Sequence, residues 1–284
     1  MADSFTCTKA IILVAGFGTR RLPITKAIEK CMLPIGDRPI VDYVVEDCLK
    51  AGVTDVYFVV GEEFGQLKQY YGRHQLLEEY LRDRNKTAEL AEVLALAEKA
   101  RFHYVIQDQH QPYGTATPVA LCEHLIGDDE LVLVVGGDDF IYHPDGSSEM
   151  ARLLTAMKQA NVTTGMLTAQ VPIAEVGRYG TMQTHTDDQG NLIFEKIIEH
   201  ATPETAPSNL INVSKYVFDH DALDCAKKVL ELPPAKNGEY QITEAVNLYS
   251  QTKPVLVLPA SGEYLDGGTT LGWLAANNRV VSGK

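Results

Sequence analysis

Short apolar, β-branched runs recur along the chain, separated by longer stretches in which hydrophobic positions fall at helical spacing. The runs AIILVAG (10–16), DVYFVVG (55–61), FHYVIQ (102–107), LVLVVGG (131–137) and TTGMLTAQ (163–170) read as strands. Their alternation with helical segments predicts a mostly parallel sheet with helices on its faces. In DRPIVDYVVEDCLKAG (37–52), Val41, Val44, Val45, Cys48 and Leu49 share one helical stripe; Pro39 suits a first turn and Gly52 a stop. Residues 64–100 are rich in Leu, Glu, Ala, Lys and Arg and predict two or three helices inserted between strands, with a solvated charged face. After residue 170 the pattern changes. YGTMQTH, NLIFEKIIE and NLINVSKYVF are short and bounded by turn residues, which predicts an antiparallel portion, and two helices near 241–251 and 270–282 close the chain. One continuous domain of two halves is expected, about 1–145 and about 146–284.

Composition narrows the function. With 284 residues, 45% hydrophobic and 22% charged, the chain has an ordinary globular composition. A net charge of -13 argues against nucleic acid or an anionic membrane as partner, because both demand a basic face. The five cysteines (7, 31, 48, 122, 225) are odd in number, widely spaced and form no Cys-x-x-Cys pair. A disulfide framework or structural zinc site is therefore not expected, and a reducing cytoplasm is the expected compartment. LVLVV at 131–135 is far too short to span a bilayer, and MADSFTCTKA lacks the basic-then-apolar shape of a secretion signal.

Against this acidic background the loop at 15–38 carries a cluster of cations. Gly16 and Gly18 let backbone N–H groups approach a ligand, and Arg20, Arg21, Lys26 and Lys30 can neutralise a polyphosphate. A dinucleotide fingerprint needs a third glycine where Arg21 stands, and no Walker lysine–serine pair follows. A Gly-rich turn with solvent-exposed cations is the plainer alternative. Two acidic positions could serve a hard divalent cation: Asp138 and Asp139 just beyond a buried strand, and Asp266 before two glycines and a helix start. Taken singly, each also reads as a turn or a helix cap. Gln107 at a strand end offers one donor and one acceptor for a pyrimidine edge, with Gly114 nearby at a helix start.

The segment AGFGTRRLPITKAIEKCMLPIGDRPI (15–40) closely resembles the N-terminal signature of the nucleotidyltransferases that make nucleotide sugars. It follows their order of Gly-x-Gly-Thr-Arg, Pro-x-Thr-Lys and Lys-x-x-Leu-Pro, and TKAI with KCMLP is most similar to the bacterial branch that uses UTP and glucose 1-phosphate. Similar segments run from about residue 9 to 282. The resemblance implies a Rossmann-like fold and formation of UDP-glucose and pyrophosphate by Mg²⁺-assisted attack on the nucleotide α-phosphate. It implies that Ala15 and Gly16 meet the base, that Gly18 and Thr19 belong to the nucleotide loop, and that Arg20 and Lys30 meet the triphosphate. Asp138 and Asp266 become the Mg²⁺ ligands, and Gln107 and Gly114 frame the uracil. In the second half it places Gly180 and Glu195 at the sugar, Lys196 on the sugar phosphate as a catalytic cation, and Glu239 at a sugar hydroxyl. The sequence departs from the family at Ile197, where proline usually follows that lysine. Alternatives are thymidylyl transfer from dTTP to the same sugar phosphate, or a weakly catalytic binder of nucleotide sugars that acts as a regulator. A homodimer or homotetramer is the assembly the resemblance implies.

Overall fold

The β-branched runs pair into one nine-stranded sheet in the computed structural model of the chain, which describes residues 5–199 and 201–283. The first half supplies β1 (Lys9–Leu13), a small hairpin of β2 (Pro34–Ile35) and β3 (Arg38–Pro39), α1 (Ile40–Lys50) and β4 (Asp55–Val60). The helical insert follows as α2 (Gln66–Tyr71), α3 (Gln75–Asp83) and α4 (Thr87–Glu98), then β5 (Arg101–Ile106), α5 (Ala116–Cys122), β6 (Val132–Gly136) and β7 (Asp139–Tyr142). The second half contains α6 (Glu149–Ala160), β8 (Gly165–Gln170), β9 (Gly180–Thr186), β10 (Leu192–Glu199), β11 (Leu210–Phe218), α7 (His220–Val229) and α8 (Ile242–Tyr249). It ends with β12 (Leu256–Pro259), β13 (Glu263–Asp266) and α9 (Thr270–Ser282).

The strand order is β5-β4-β1-β6-β11-β8-β12-β10-β9. Parallel pairing runs from β5 through β4 and β1 to β6, and recurs between β8 and β12. The other neighbours are antiparallel, so the sheet is mixed, and the expected parallel order is confined mainly to the first half. For β9 and β10 the reason is connection length. The turn from β9 to β10 is too short for a crossover and can join only antiparallel strands.

Strand alternation divides the core into two layers. Ile12, Leu133 and Val135 face one way, packing with Val44, Val45 and Cys48 of α1 and with Leu153 of α6. Ile11, Val132 and Val134 face the other way, packing with Leu223 of α7 and Val246 of α8. Burying both faces explains why these central strands read as continuous apolar runs. All five cysteines lie in these layers as buried free thiols. Cys31 belongs to the core, and burial pushes its thiol up, away from the reactive thiolate.

Polar clasps fasten the insert to this core. The buried carboxylate of Asp42 on α1 accepts from Tyr71 Oη at 3.0 Å and from Lys99 Nζ at 3.0 Å, at the two ends of the insert. Within it, Glu78 is buried and accepts from Arg73 at 2.6 Å and Arg82 at 3.2 Å. No helix among the described residues is long and apolar enough to cross a membrane.

Candidate active site

The loop after β1 winds through three single 3₁₀ turns at 19–21, 24–26 and 30–32. Thr25 Oγ1 donates to the Gly18 carbonyl at 3.0 Å and closes the first of them. Gly16, Thr19, Arg20 and Lys26 are exposed, and Ala15 is half-buried. The next arginine turns inward instead. Arg21 is buried, donates from Nη1 to the carbonyls of Gly267 (3.1 Å) and Thr269 (2.8 Å), and lies over the Trp273 ring. Arg21 therefore holds the turn that follows Asp266, and the expectation that it neutralises phosphate is corrected. Lys30 is half-buried, and its ammonium forms an ion pair with Asp138.

The two acidic positions converge through a two-stranded ribbon. β7 and β13 pair antiparallel with Asp139 directly opposite Asp266, and Gly267 N donates to the Asp138 carbonyl at 3.1 Å. Gly268 marks the meeting point. A Cβ at that residue would stand 2.9 Å from Asp266 Oδ1, 3.2 Å from Asp138 Oδ2 and 3.5 Å from Lys30 Nζ. Glycine thus leaves open the space that two carboxylates and a cation share. Asp266 Oδ1 is oriented by the Gly268 N–H at 2.7 Å. Thr269 accepts from Gly272 N and caps α9.

Three neighbours set the charge on these acids. Burial disfavours ionised Asp138, yet Lys30, with Lys215 and Arg20 behind it, outweighs burial and holds the carboxyl below its ordinary value. Asp139 is pushed up by burial, against the attraction of Lys215. Its oxygens are taken by the buried Lys215 ammonium and by Tyr264 Oη at 2.9 Å, so it serves the scaffold beneath the site. Burial first, and then the nearby aspartates, raise the Tyr264 hydroxyl well above its usual value and keep it a donor.

The second-half residues fall differently from the expectation. Gly180 is opposite Glu199 in the β9–β10 register, and a Cβ on Gly180 would stand 2.8 Å from Glu199 Oε1. Thr243 Oγ1 donates to the same oxygen at 3.3 Å. Glu195 and Lys196 do not meet Gly180. Lys196 is exposed and opposite Gln183, three rungs and about 10 Å along the strand. Glu195 accepts from Gln183 Nε2 at 2.8 Å and is paired with His185 at 3.1 Å. At 197 the chain has a buried isoleucine whose N–H donates to Asn247 Oδ1 at 3.4 Å, and β10 continues past it to Glu199. Glu239 lies on the loop before α8, held by Asn237 Nδ2 at 2.9 Å, and burial, followed by the nearby Glu239 carboxylate, pushes the Tyr113 hydroxyl up.

Gln107 follows β5, and its N–H donates to Val60 O at 2.8 Å, extending the parallel ladder to the sheet's C-terminal edge. Gly114, at φ +139°, has a local need of its own. A Cβ there would come within 2.4 Å of the Tyr240 backbone, which is clipped to Tyr113 O and Ala116 N.

A cavity of about 610 Å³ opens beside Asp266, lined among others by Arg178, Tyr179, Tyr264 and Thr270. A smaller one of about 80 Å³ lies between Gly16, Lys30, Gly137 and Asp138. The donor set at Gly268 is two carboxylate oxygens aimed at one point, with room for further oxygen ligands. That suits a hard divalent ion, which takes one or two carboxylates and fills its shell from phosphates and water.

Comparison with known proteins shows the family. The family model described as nucleotidyl transferase matches residues 9–282. The UTP–glucose-1-phosphate uridylyltransferase of Bacillus subtilis (strain 168) is 31% identical over 268 residues, covering 94% of this chain and 88% of that protein. A crystal structure of UDP-glucose pyrophosphorylase complexed with UDP-glucose is similar at a TM-score of 0.85 and 28% identity, covering 98% and 100% of the two chains. A UTP-bound UGPase from Acinetobacter baumannii is similar at 0.85 and 27%, covering 97% and 93%.

Proposed function

The chain belongs to the nucleotidyl transferase family, and from that premise we propose that it joins UTP to glucose 1-phosphate, forming UDP-glucose and pyrophosphate. The observation that carries the reading is the meeting of Asp138, Asp266 and Lys30 around Gly268, at the mouth of a glycine- and arginine-bearing loop. In the reaction, a phosphate oxygen of the sugar phosphate bonds to the α-phosphorus of UTP. The bond from that phosphorus to the bridging oxygen breaks, and the electron pair leaves with pyrophosphate. The attacking monoester is already ionised near neutral pH, so no general base is required. The work is positioning and charge neutralisation.

Each part of the site has a task in this scheme. The loop backbone at Ala15, Gly16, Gly18 and Thr19 receives the nucleotide, and Arg20 and Lys30 neutralise charge on the departing phosphates. Gln107 reads the base edge, with Gly114 beside it. Glu199, rather than Glu195, takes the sugar hydroxyls next to Gly180. Mg²⁺ held by Asp138 and Asp266 would supply charge neutralisation between two anions that must approach each other. Until an ion and phosphates arrive, Lys30 keeps Asp138 ionised and ready to ligate.

The test is pyrophosphate release with UTP, dTTP, GTP and ATP crossed against several sugar 1-phosphates. UTP with glucose 1-phosphate should give the highest kcat/KM. The thymine methyl alone discriminates by only ~1–3 kcal/mol, so some dTTP turnover is compatible. Preference for dTTP would reassign the base, and release from no pair would leave a nucleotide-sugar-binding protein instead.

A further inference from the structure

The proposed reaction leaves one requirement unmet: a cation for the incoming sugar phosphate. The lysine that the sequence offers, Lys196, is opposite Gln183, about 10 Å from the Gly180–Glu199 corner. We propose that Arg178 grips the phosphate of the sugar 1-phosphate and delivers it to the α-phosphorus.

Three observations place it there. Arg178 ends the turn that leads, through Tyr179, directly into Gly180 at the sugar corner. Its Nη2 stands 3.8 Å from Asp266 Oδ2, the carboxylate that faces Asp138 across Gly268. It lines the 610 Å³ cavity together with Asp266 and Tyr264. The guanidinium is therefore between the sugar corner and the acid pair, where a phosphate bridging the two must pass.

Its own bonding leaves it available. The two nearest acidic oxygens, from Asp266 at 3.8 Å and Glu175 at 3.6 Å, are beyond hydrogen-bond distance. The Tyr179 ring lies 5.4 Å below the guanidinium and supports its plane without using its donors. About half of the side chain is exposed, on the cavity side of a loop. A planar fork of donors suits a phosphate dianion, which it can take up in a bidentate manner. Asp266 turns to the divalent ion as the guanidinium turns to the phosphate, so the weak pair seen here exchanges both partners for better ones.

The inference rests on the proposed activity, and the experiment separates the two. Wild type is first assayed for pyrophosphate release from UTP and glucose 1-phosphate. Arg178→Gln and Arg178→Lys are then compared with Lys196→Ala by initial rates, and thermal melts check that each variant folds. Glucose 1-phosphate is also titrated calorimetrically into wild type and Arg178→Gln, each loaded with Mg²⁺ and an α,β-imido analogue of UTP. Arg178→Gln should raise KM and Kd for glucose 1-phosphate ~10–100-fold, the loss of a charge-assisted hydrogen-bond pair, and leave KM for UTP within about twofold. Arg178→Lys should recover part of the loss, and Lys196→Ala should change the same KM less than Arg178→Gln does. An active wild type whose affinity for glucose 1-phosphate is unmoved by Arg178→Gln, or a larger effect from Lys196→Ala, overturns the assignment of Arg178 alone. An inactive wild type refutes the proposed activity, and the titration still decides whether Arg178 binds the sugar phosphate.

Discussion

Substituting alanine at Gly268 probes the site with a single methyl. The new Cβ would lie 2.9 Å from Asp266 Oδ1 and 3.2 Å from Asp138 Oδ2, where ordinary contact begins at 3.4 Å. Asp266 must therefore retreat by about 0.5 Å and Asp138 by about 0.2 Å. Asp266 cannot do so freely, because the Gly268 N–H holds it at 2.7 Å and its strand is paired with β7. Misplacing a reacting group by ~1 Å can cost ~100-fold, so a shift of half that size, with an intruding methyl, should lower kcat/KM by ~10–100-fold. That corresponds to ~1.4–2.8 kcal/mol of barrier. The overpacking itself should cost no more than ~1–3 kcal/mol of stability, which leaves a folded protein to assay. Pyrophosphate release is measured against Mg²⁺ concentration at saturating UTP, and half-maximal activity should move to higher Mg²⁺. A Gly268→Ala protein with unchanged kcat/KM and an unchanged Mg²⁺ profile would refute the reading that both acids act at this point.

Two further outcomes follow from contacts away from the reacting centre. Arg21→Met keeps side-chain bulk but removes both donors to the 267–269 turn, and should cost ~2–4 kcal/mol of stability together with a fall in kcat. Calorimetric melts and initial rates check it, and an unchanged Tm with full activity refutes the clamp. Arg73, against the opposing push of burial and with Arg82 assisting, holds the Glu78 carboxyl down from 4.5 to about 2. A depressed folded value means that the stabilisation is complete above 4.5 and is lost as pH falls toward about 2. Hydrogen exchange should show α3 amides protected in wild type relative to Glu78→Gln near pH 5, with the difference gone near pH 2; a difference that persists in acid refutes the coupling.

Much of this architecture is legible from residue pattern because the central strands are buried on both faces. Runs such as LVLVV and DVYFVV admit few other readings, and the three helices of the insert follow from their Leu- and Glu-rich spacing. Strands β7, β12 and β13 leave no such signal. Each has four residues, and β7 and β13 bury too little to show a period. Adjacent arginines posed a second difficulty, since nothing local says that Arg20 faces solvent while Arg21 turns onto Trp273. Glu199 is masked in the sequence by the Glu195–Lys196 step, which resembles the family pattern more closely, while the ladder continues three rungs further. Lys215 did leave a trace. A lysine inside NLINVSKYVF, a run otherwise suited to a buried strand, requires an acid beside it, and Asp139 is that acid.

The ribbon of β7 and β13 also bears on how the enzyme is born. Its two strands are 127 positions apart from Asp139 to Asp266, so on a ribosome elongating at ~5–20 residues per second the first strand waits roughly 6–25 s for its mate. During that interval β5, β4, β1 and β6 can already align, while the second carboxylate does not yet exist. Competence thus waits for β13 to be made, and the nascent chain stays inert until that strand pairs with β7.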